Sequence, residues 1–193
     1  MLRRTEHFHF GGNMLSGNIP PKLFHSGMVI EHLICNNNNF TGSIPSTINL
    51  VPSLEALRLD GNNLTGPVPP TLNSLTSMKE LYLSNNLLTG PLPNLTGMND
   101  LSYVDLSNNL FDASDVPPWF SSLPSLTTLL LENSHVQGQI PAGLFSFSPL
   151  QTAGLKHNLF NSTLVIDAGY SPQLQLVDLQ DNYISDFHND GNY

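Results

Sequence analysis

Apolar residues recur along the chain in pairs one residue apart: Leu33 and Cys35, Leu57 and Leu59, Leu81 and Leu83, Val104 and Leu106, Leu129 and Leu131. Side chains alternate in an extended segment, so such a pair points to one side and the residues flanking it to the other. Three residues after most pairs stands an asparagine, then an apolar residue two positions on, and then in most repeats Gly-x-[Ile/Leu/Val]-Pro; Leu57 to Pro69 shows the whole pattern. The glycine suits a tight or positive-φ position, and the proline, lacking an N–H, suits a strand end. From the proline to the next pair, apolar residues return every third residue: Leu72, Leu75 and Met78; Phe120, Leu123 and Leu126; Leu144, Phe147 and Leu150. That spacing predicts short 3₁₀ turns rather than long α-helices.

The asparagine row sets the period. Asn13, Asn38, Asn62, Asn86, Asn109, Ser134, Asn158 and Asn182 stand 25, 24, 24, 23, 25, 24 and 24 residues apart. L-x-L-x-x-N repeating at about 24 residues is the signature of a leucine-rich repeat. The expectation is an α/β-type leucine-rich-repeat solenoid of about eight repeats: a right-handed superhelix with a concave parallel β-sheet and convex 3₁₀ or irregular turns, forming one domain over 1–193. Strands are expected near 8–10, 33–35, 57–59, 81–83, 104–106, 129–131, 153–155 and 177–179. The asparagine amide is expected to satisfy backbone groups at the inward turn. Ser134 can supply only part of that set and marks a weak point. Ala113 replaces the glycine in the fifth repeat, and Asn161-Ser162-Thr163-Leu164 replaces the Gly-x-Ile-Pro ending in the seventh. No cap is recognisable at either end, so the chain is expected to be part of a longer protein and marginally stable alone.

Composition narrows the partners. The net charge is −9 with six Lys plus Arg, too few cations for a nucleic-acid face or for contact with an anionic membrane surface. Charged residues are 11% of the chain, so Asn, Ser, Thr and Gln carry the polar surface. The lone Cys35 cannot build an internal disulfide framework, and its place in the strand pattern reads as a buried leucine substitute. Residues 1–10 hold two arginines with no apolar run behind them, so no signal peptide is read there, and no stretch is long and apolar enough for a membrane span.

Function is expected where the repeat leaves residue choice open. The outward strand positions form two columns: His7, His32, Ala56, Glu80, Tyr103, Thr128, Thr152, Leu176, and His9, Ile34, Arg58, Tyr82, Asp105, Leu130, Gly154, Asp178. Within them His32, Ile34, Arg58, Glu80, Tyr82, Tyr103, Asp105 and Leu130 are the candidate partner-binding residues, since Tyr and Arg are common interface anchors. Asn39, Asn63, Asn94 and Asn161 open Asn-x-Ser/Thr acceptors for N-glycosylation. His7, His9 and His32 fall close together, but no carboxylate or cysteine completes a ligand set in the pattern, so no metal is expected. No nucleophile–base–acid set and no phosphate loop stands out, so neither catalysis nor a cofactor is expected.

The ending [Ser/Thr]-Gly-x-[Ile/Leu/Val]-Pro, present as Ser16-Gly17-Asn18-Ile19-Pro20, Thr41-Gly42-Ser43-Ile44-Pro45, Thr65-Gly66-Pro67-Val68-Pro69 and Thr89-Gly90-Pro91-Leu92-Pro93, resembles the plant-specific repeat class. That class is found in ectodomains of receptor-like kinases and receptor-like proteins. Phe160-Asn161-Ser162-Thr163-Leu164, followed by the run Ser171 to Asn182, resembles the subgroup that includes hydrogen-peroxide-sensing receptors. The sensing cysteines of that subgroup have no counterpart here. The resemblance implies an extracellular recognition module of a parent receptor at the plasma membrane, binding a protein or peptide ligand or a co-receptor, with any kinase lying outside this segment. The alternative it leaves open is a secreted leucine-rich-repeat interaction protein, such as an inhibitor of a microbial wall-degrading enzyme.

Overall fold

A computed structural model describes residues 4–146, 149–166 and 170–189. Its central feature is an eight-stranded parallel sheet whose strands follow chain order: His7–His9, His32–Ile34, Ala56–Arg58, Glu80–Tyr82, Tyr103–Asp105, Thr128–Leu130, Thr152–Gly154 and Leu176–Asp178. Each strand runs one residue ahead of the span expected from the leucine pairs. The strand is x-L-x, with its first apolar residue at the centre. The second (Cys35, Leu59, Leu83) lies just past the end, where its N–H still bonds the next strand, as Leu59 N–H does to Tyr82 O at 2.9 Å.

Both apolar positions enter a core that runs the length of the chain, where Leu57, Leu59, Leu81, Leu83, Val104 and Leu106 are buried. Phe10 at 42% exposure stands just past the first strand and Val177 at 36% in the last, and each of these strands has a sheet neighbour on one side.

The turn after each strand is closed by the asparagine row. The amide of Asn86 donates to Leu59 O (2.9 Å) in the preceding repeat and to Leu83 O and Ser84 O in its own, while its Oδ1 accepts the Leu64 N–H at 3.0 Å. Asn62, Asn109 and Asn158 repeat this scheme. One side chain thus satisfies four buried backbone groups and ties two repeats together. Ser134 has one hydroxyl proton to set between Leu106 O (3.3 Å) and Glu132 O (3.0 Å). The Oδ1 of Asn158 accepts both the Ser134 and the Val136 N–H.

Opposite the concave sheet the chain turns through 3₁₀ segments at Pro21–Leu23, Ser46–Leu50, Pro70–Ser74 and Pro118–Ser121. The three-residue apolar spacing coincides with three-residue hydrogen bonds: Leu75 N–H to Leu72 O, then Met78 N–H to Leu75 O, with all three side chains buried. The sixth repeat differs, making one α-helical turn at Gly143–Ser146 that buries Leu144 and Phe145. Phe147 of the expected apolar series lies outside the described residues. Trp119, fully buried, donates its indole N–H to Pro93 O at 2.9 Å.

The sequence pattern did not announce two further sheets. Ser16–Asn18, Asn39–Gly42, Asn63–Gly66 and Leu87–Leu88 form one four-stranded parallel sheet; Ser114–Asp115, Val136–Gly138, Leu159–Ile166 and Tyr183–Asn189 form another. They part at the fifth repeat. Gly17, Gly42, Gly66, Gly90 and Gly138 hold φ between 72° and 84° at equivalent positions, a region that Ala113 disfavours because of its Cβ. Among the described residues no helix is long and apolar enough to cross a membrane.

Candidate functional site on the concave face

The parallel register brings the two outward columns together as rows across the sheet: His7 beside His32, His32 beside Ala56, Ala56 beside Glu80, and Glu80 beside Tyr103 in one; Ile34 beside Arg58, Arg58 beside Tyr82, and Tyr82 beside Asp105 in the other. Neighbours about 4.8 Å apart put side chains of this size in contact.

Three residues form the most closely knit patch. The Arg58 guanidinium carbon stands 4.3 Å above the centre of the Tyr82 ring, and the Tyr82 and Tyr103 rings stack at 4.3 Å with 26° between planes. All three are half-buried. Burial first, then the Glu80 carboxylate, pushes the Tyr82 phenol up to about 12, and burial together with Asp105 raises that of Tyr103. Both rings therefore stay neutral hydroxyl donors at any physiological pH. Asp60 sits beneath Arg58, its Oδ1 3.7 Å from Nε. Burial raises its pKa while Arg58 opposes the rise. At 3.7 Å the two atoms attract without a hydrogen bond, and both are shielded from solvent.

Beside this patch the face opens into a cavity of about 520 Å³ lined by His9, His32, Ile34, Arg58 and Glu80. Four of the expected residues, His32, Ile34, Arg58 and Glu80, thus share one cavity wall, and Tyr82 and Tyr103 stack in turn from Arg58. Asp105 and Leu130 stand apart from that cavity. Asp105 turns back to accept the Ser107 N–H at 3.0 Å. Leu130 leans over Gly154, where an added Cβ would come within 2.8 Å of its Cδ2. The arrangement offers a cation, stacked aromatic faces and phenolic donors on a rigid sheet, a set suited to holding an extended chain rather than to transferring a group.

Two charged groups escaped the two-column reading. Lys156 is held between Glu132 (3.3 Å) and Asp178 (3.6 Å). Glu6, Glu31, Glu55 and Lys79 occupy the position just before successive strands, with Lys79 bonded to Glu55 at 2.8 Å. Extending the same register by one residue before each strand would have found the Glu6 to Lys79 row, and by two residues past each strand Lys156.

All four acceptor asparagines, Asn39, Asn63, Asn94 and Asn161, present exposed side chains. Asn39 and Asn63 open strands of the first lateral sheet, away from the concave face. Cys35 is buried, and that burial pushes its thiol up to about 11.

Comparison with known proteins places this geometry. The Leucine Rich Repeat family pattern matches residues 30–50, 53–75, 77–98 and 100–123. Over 192 residues the chain is 54% identical to a probable leucine-rich repeat receptor-like protein kinase of Arabidopsis thaliana, a match that takes in 100% of this chain and 20% of the kinase. The chain thus spans about one fifth of that relative's length. A plant ice-binding protein superposes with a TM-score of 0.82 at 25% identity, covering 93% of this chain and 57% of its own. The ectodomain of the Arabidopsis thaliana membrane receptor kinase GASSHO1/SCHENGEN3, solved in complex with CASPARIAN STRIP INTEGRITY FACTOR 2, superposes with a TM-score of 0.80 at 25% identity, covering 92% of this chain and 23% of that one.

Proposed function

We propose, from the premise that this chain is a leucine-rich-repeat solenoid similar to part of a plant receptor-like kinase, that it is an extracellular recognition module whose concave face binds a peptide or protein ligand. The observation that carries this reading is the Arg58–Tyr82–Tyr103 stack, whose Arg58 lines the concave cavity. Aromatic and guanidinium groups in a half-buried patch present large contact area at little cost in side-chain entropy. Rows about 4.8 Å apart across a rigid sheet suit an extended segment running across the repeats. Arg58 favours an acidic or carboxylate-bearing stretch of ligand over the patch, and Glu80 disfavours one beside it. The complex of the GASSHO1/SCHENGEN3 ectodomain with CASPARIAN STRIP INTEGRITY FACTOR 2 supports ligand capture by a solenoid of this kind.

In this reading the module faces the cell exterior as part of a parent receptor kinase, and the exposed Asn39, Asn63, Asn94 and Asn161 carry glycans that leave the concave face free. The alternative of a secreted interaction protein uses the same face, and no feature of the fold favours it over the receptor.

The test is selection of binders from a displayed library of plant secreted peptides, followed by affinity measurement on Arg58→Ala and Tyr82→Ala chains. Each substitution is expected to weaken the selected peptides about tenfold, or about 1.4 kcal/mol, with circular dichroism unchanged. Equal affinity for the original chain and both variants would overturn the assignment.

A further inference from the structure

The first two strands bring three imidazoles to one place. His7 and His9 are two residues apart on strand His7–His9, so their side chains leave the same face of the sheet. His32 is the in-register neighbour of His7 on strand His32–Ile34. The ring centres of His7 and His32 are 4.5 Å apart, those of His7 and His9 5.8 Å, and those of His9 and His32 6.1 Å. One ring nitrogen from each residue lies within 4.8 Å of the other two.

A four-coordinate zinc holds its imidazole nitrogens about 2.0–2.1 Å away, and so roughly 3.4 Å from one another. His7 and His9 are exposed and His32 half-buried, so small side-chain rotations close the remaining gap. The sheet register already holds the three backbones at the spacing such a tripod needs.

The strand pattern offered no carboxylate to these histidines, but the same register brings two beside His7. Glu6 and Glu31 each precede a strand by one residue, and their backbones are pinned together: Glu6 O accepts the N–H of Glu31 (2.7 Å) and of His32 (3.0 Å). Their carboxylates form a second triad with His7 within the same 4.8 Å limit. Three imidazoles, with two carboxylates beside His7, make a site of donor type and charge suited to a divalent ion of the zinc class.

We propose that His7, His9 and His32 together bind one such ion on the concave face, with Glu6 and Glu31 favouring it electrostatically from the flank. His9 and His32 also line the cavity beside Arg58. An ion held there stands in the cavity wall and presents a cation to whatever enters. The site is independent of the Arg58–Tyr82–Tyr103 stack and stands or falls without it.

Titration of the chain with Co²⁺, read by its visible d–d absorption and then displaced with Zn²⁺, tests the assignment. One equivalent of ion with a tetrahedral spectrum is expected. His32→Ala and His9→Ala should each weaken binding at least tenfold, and His25→Ala, away from the cluster, should leave it unchanged. Far-UV circular dichroism checks that each variant keeps its fold; His9→Ala alters an exposed side chain and keeps the test available if His32→Ala does not fold. The proposal fails if no stoichiometric binding is seen or if both histidine variants bind as the original chain does. It also fails if Glu6→Gln and Glu31→Gln abolish binding while His9→Ala does not, which would place the ion at the carboxylate triad.

Discussion

One left-handed residue in every repeat, and a second in six of the eight, shape the turn that follows each strand. The residue just before the asparagine row has positive φ in all eight repeats: Gly12 (68°), Asn37 (51°), Gly61 (65°), Asn85 (55°), Asn108 (54°), Asn133 (49°), His157 (55°) and Asp181 (53°). Only glycine or the residues that tolerate this region stand there, and the reversal is what lets the next asparagine reach back to carbonyls two and three residues behind it. The second position, four residues after the row, is glycine in five repeats, while Ser162 holds it at φ 69° in the seventh. Ser162→Gly removes that strain and is expected to raise stability by about 1 kcal/mol, read as a higher denaturant midpoint at unchanged slope; a lower midpoint would contradict the strain argument. Cys35 is the other residue whose chemistry the fold sets. Its ordinary value of 9.0 is moved to about 11 by burial, so the folded chain keeps its thiol proton across a window where the unfolded chain loses it. Stability contributed by this group is therefore complete below pH 9 and falls as pH rises toward 11. At pH 8 the thiol should react with a maleimide or disulfide reagent far more slowly in the folded chain than in denaturant, and equal rates would refute its burial.

At the scale of the element, the pattern was legible to different depths on different sides of the molecule. The concave strands were readable to within one residue because inward and outward positions differ sharply in polarity, and their two columns pair in the expected register. The 3₁₀ turns were readable because the apolar spacing is itself the hydrogen-bond spacing. The lateral sheets were not, since segments such as Asn63–Gly66 are short, polar and partly exposed, and their pairing comes from stacking against the adjacent repeat rather than from their own residues. The departures marked in the sequence do have structural consequences. Ala113 falls where the two lateral sheets part. The Asn161–Leu164 replacement lies in the long strand Leu159–Ile166, whose register with Tyr183–Asn189 shifts between Ser162 and Thr163.

For the whole molecule, each repeat contacts its neighbours in sequence, so stability is a sum of repeat and interface contributions rather than one shared core. Central strands have a partner on both sides, and strands His7–His9 and Leu176–Asp178 have one. Amide hydrogen exchange is expected to be slowest at Leu57, Leu81 and Val104 and fastest at the two outer strands, with the gradient visible under native conditions. Uniform protection from first strand to last would show a single cooperative unit instead. The same linear order governs the candidate site, because a cavity wall assembled from four successive strands holds its spacing only while those repeats remain stacked.

Sequence alone settles the repeat, its period, the inward and outward faces and the columns that carry Arg58, Tyr82 and Tyr103, because these follow from local alternation and a constant spacing. What it leaves open is which side chains in those columns touch, and what lies just outside them. The stacking of Tyr82 on Tyr103, the guanidinium over the ring, and the approach of Glu6 and Glu31 to His7 are decided only in the folded chain. The register follows from the repeat period, but these contacts depend on which rotamer each side chain takes, and the inward–outward alternation does not specify that.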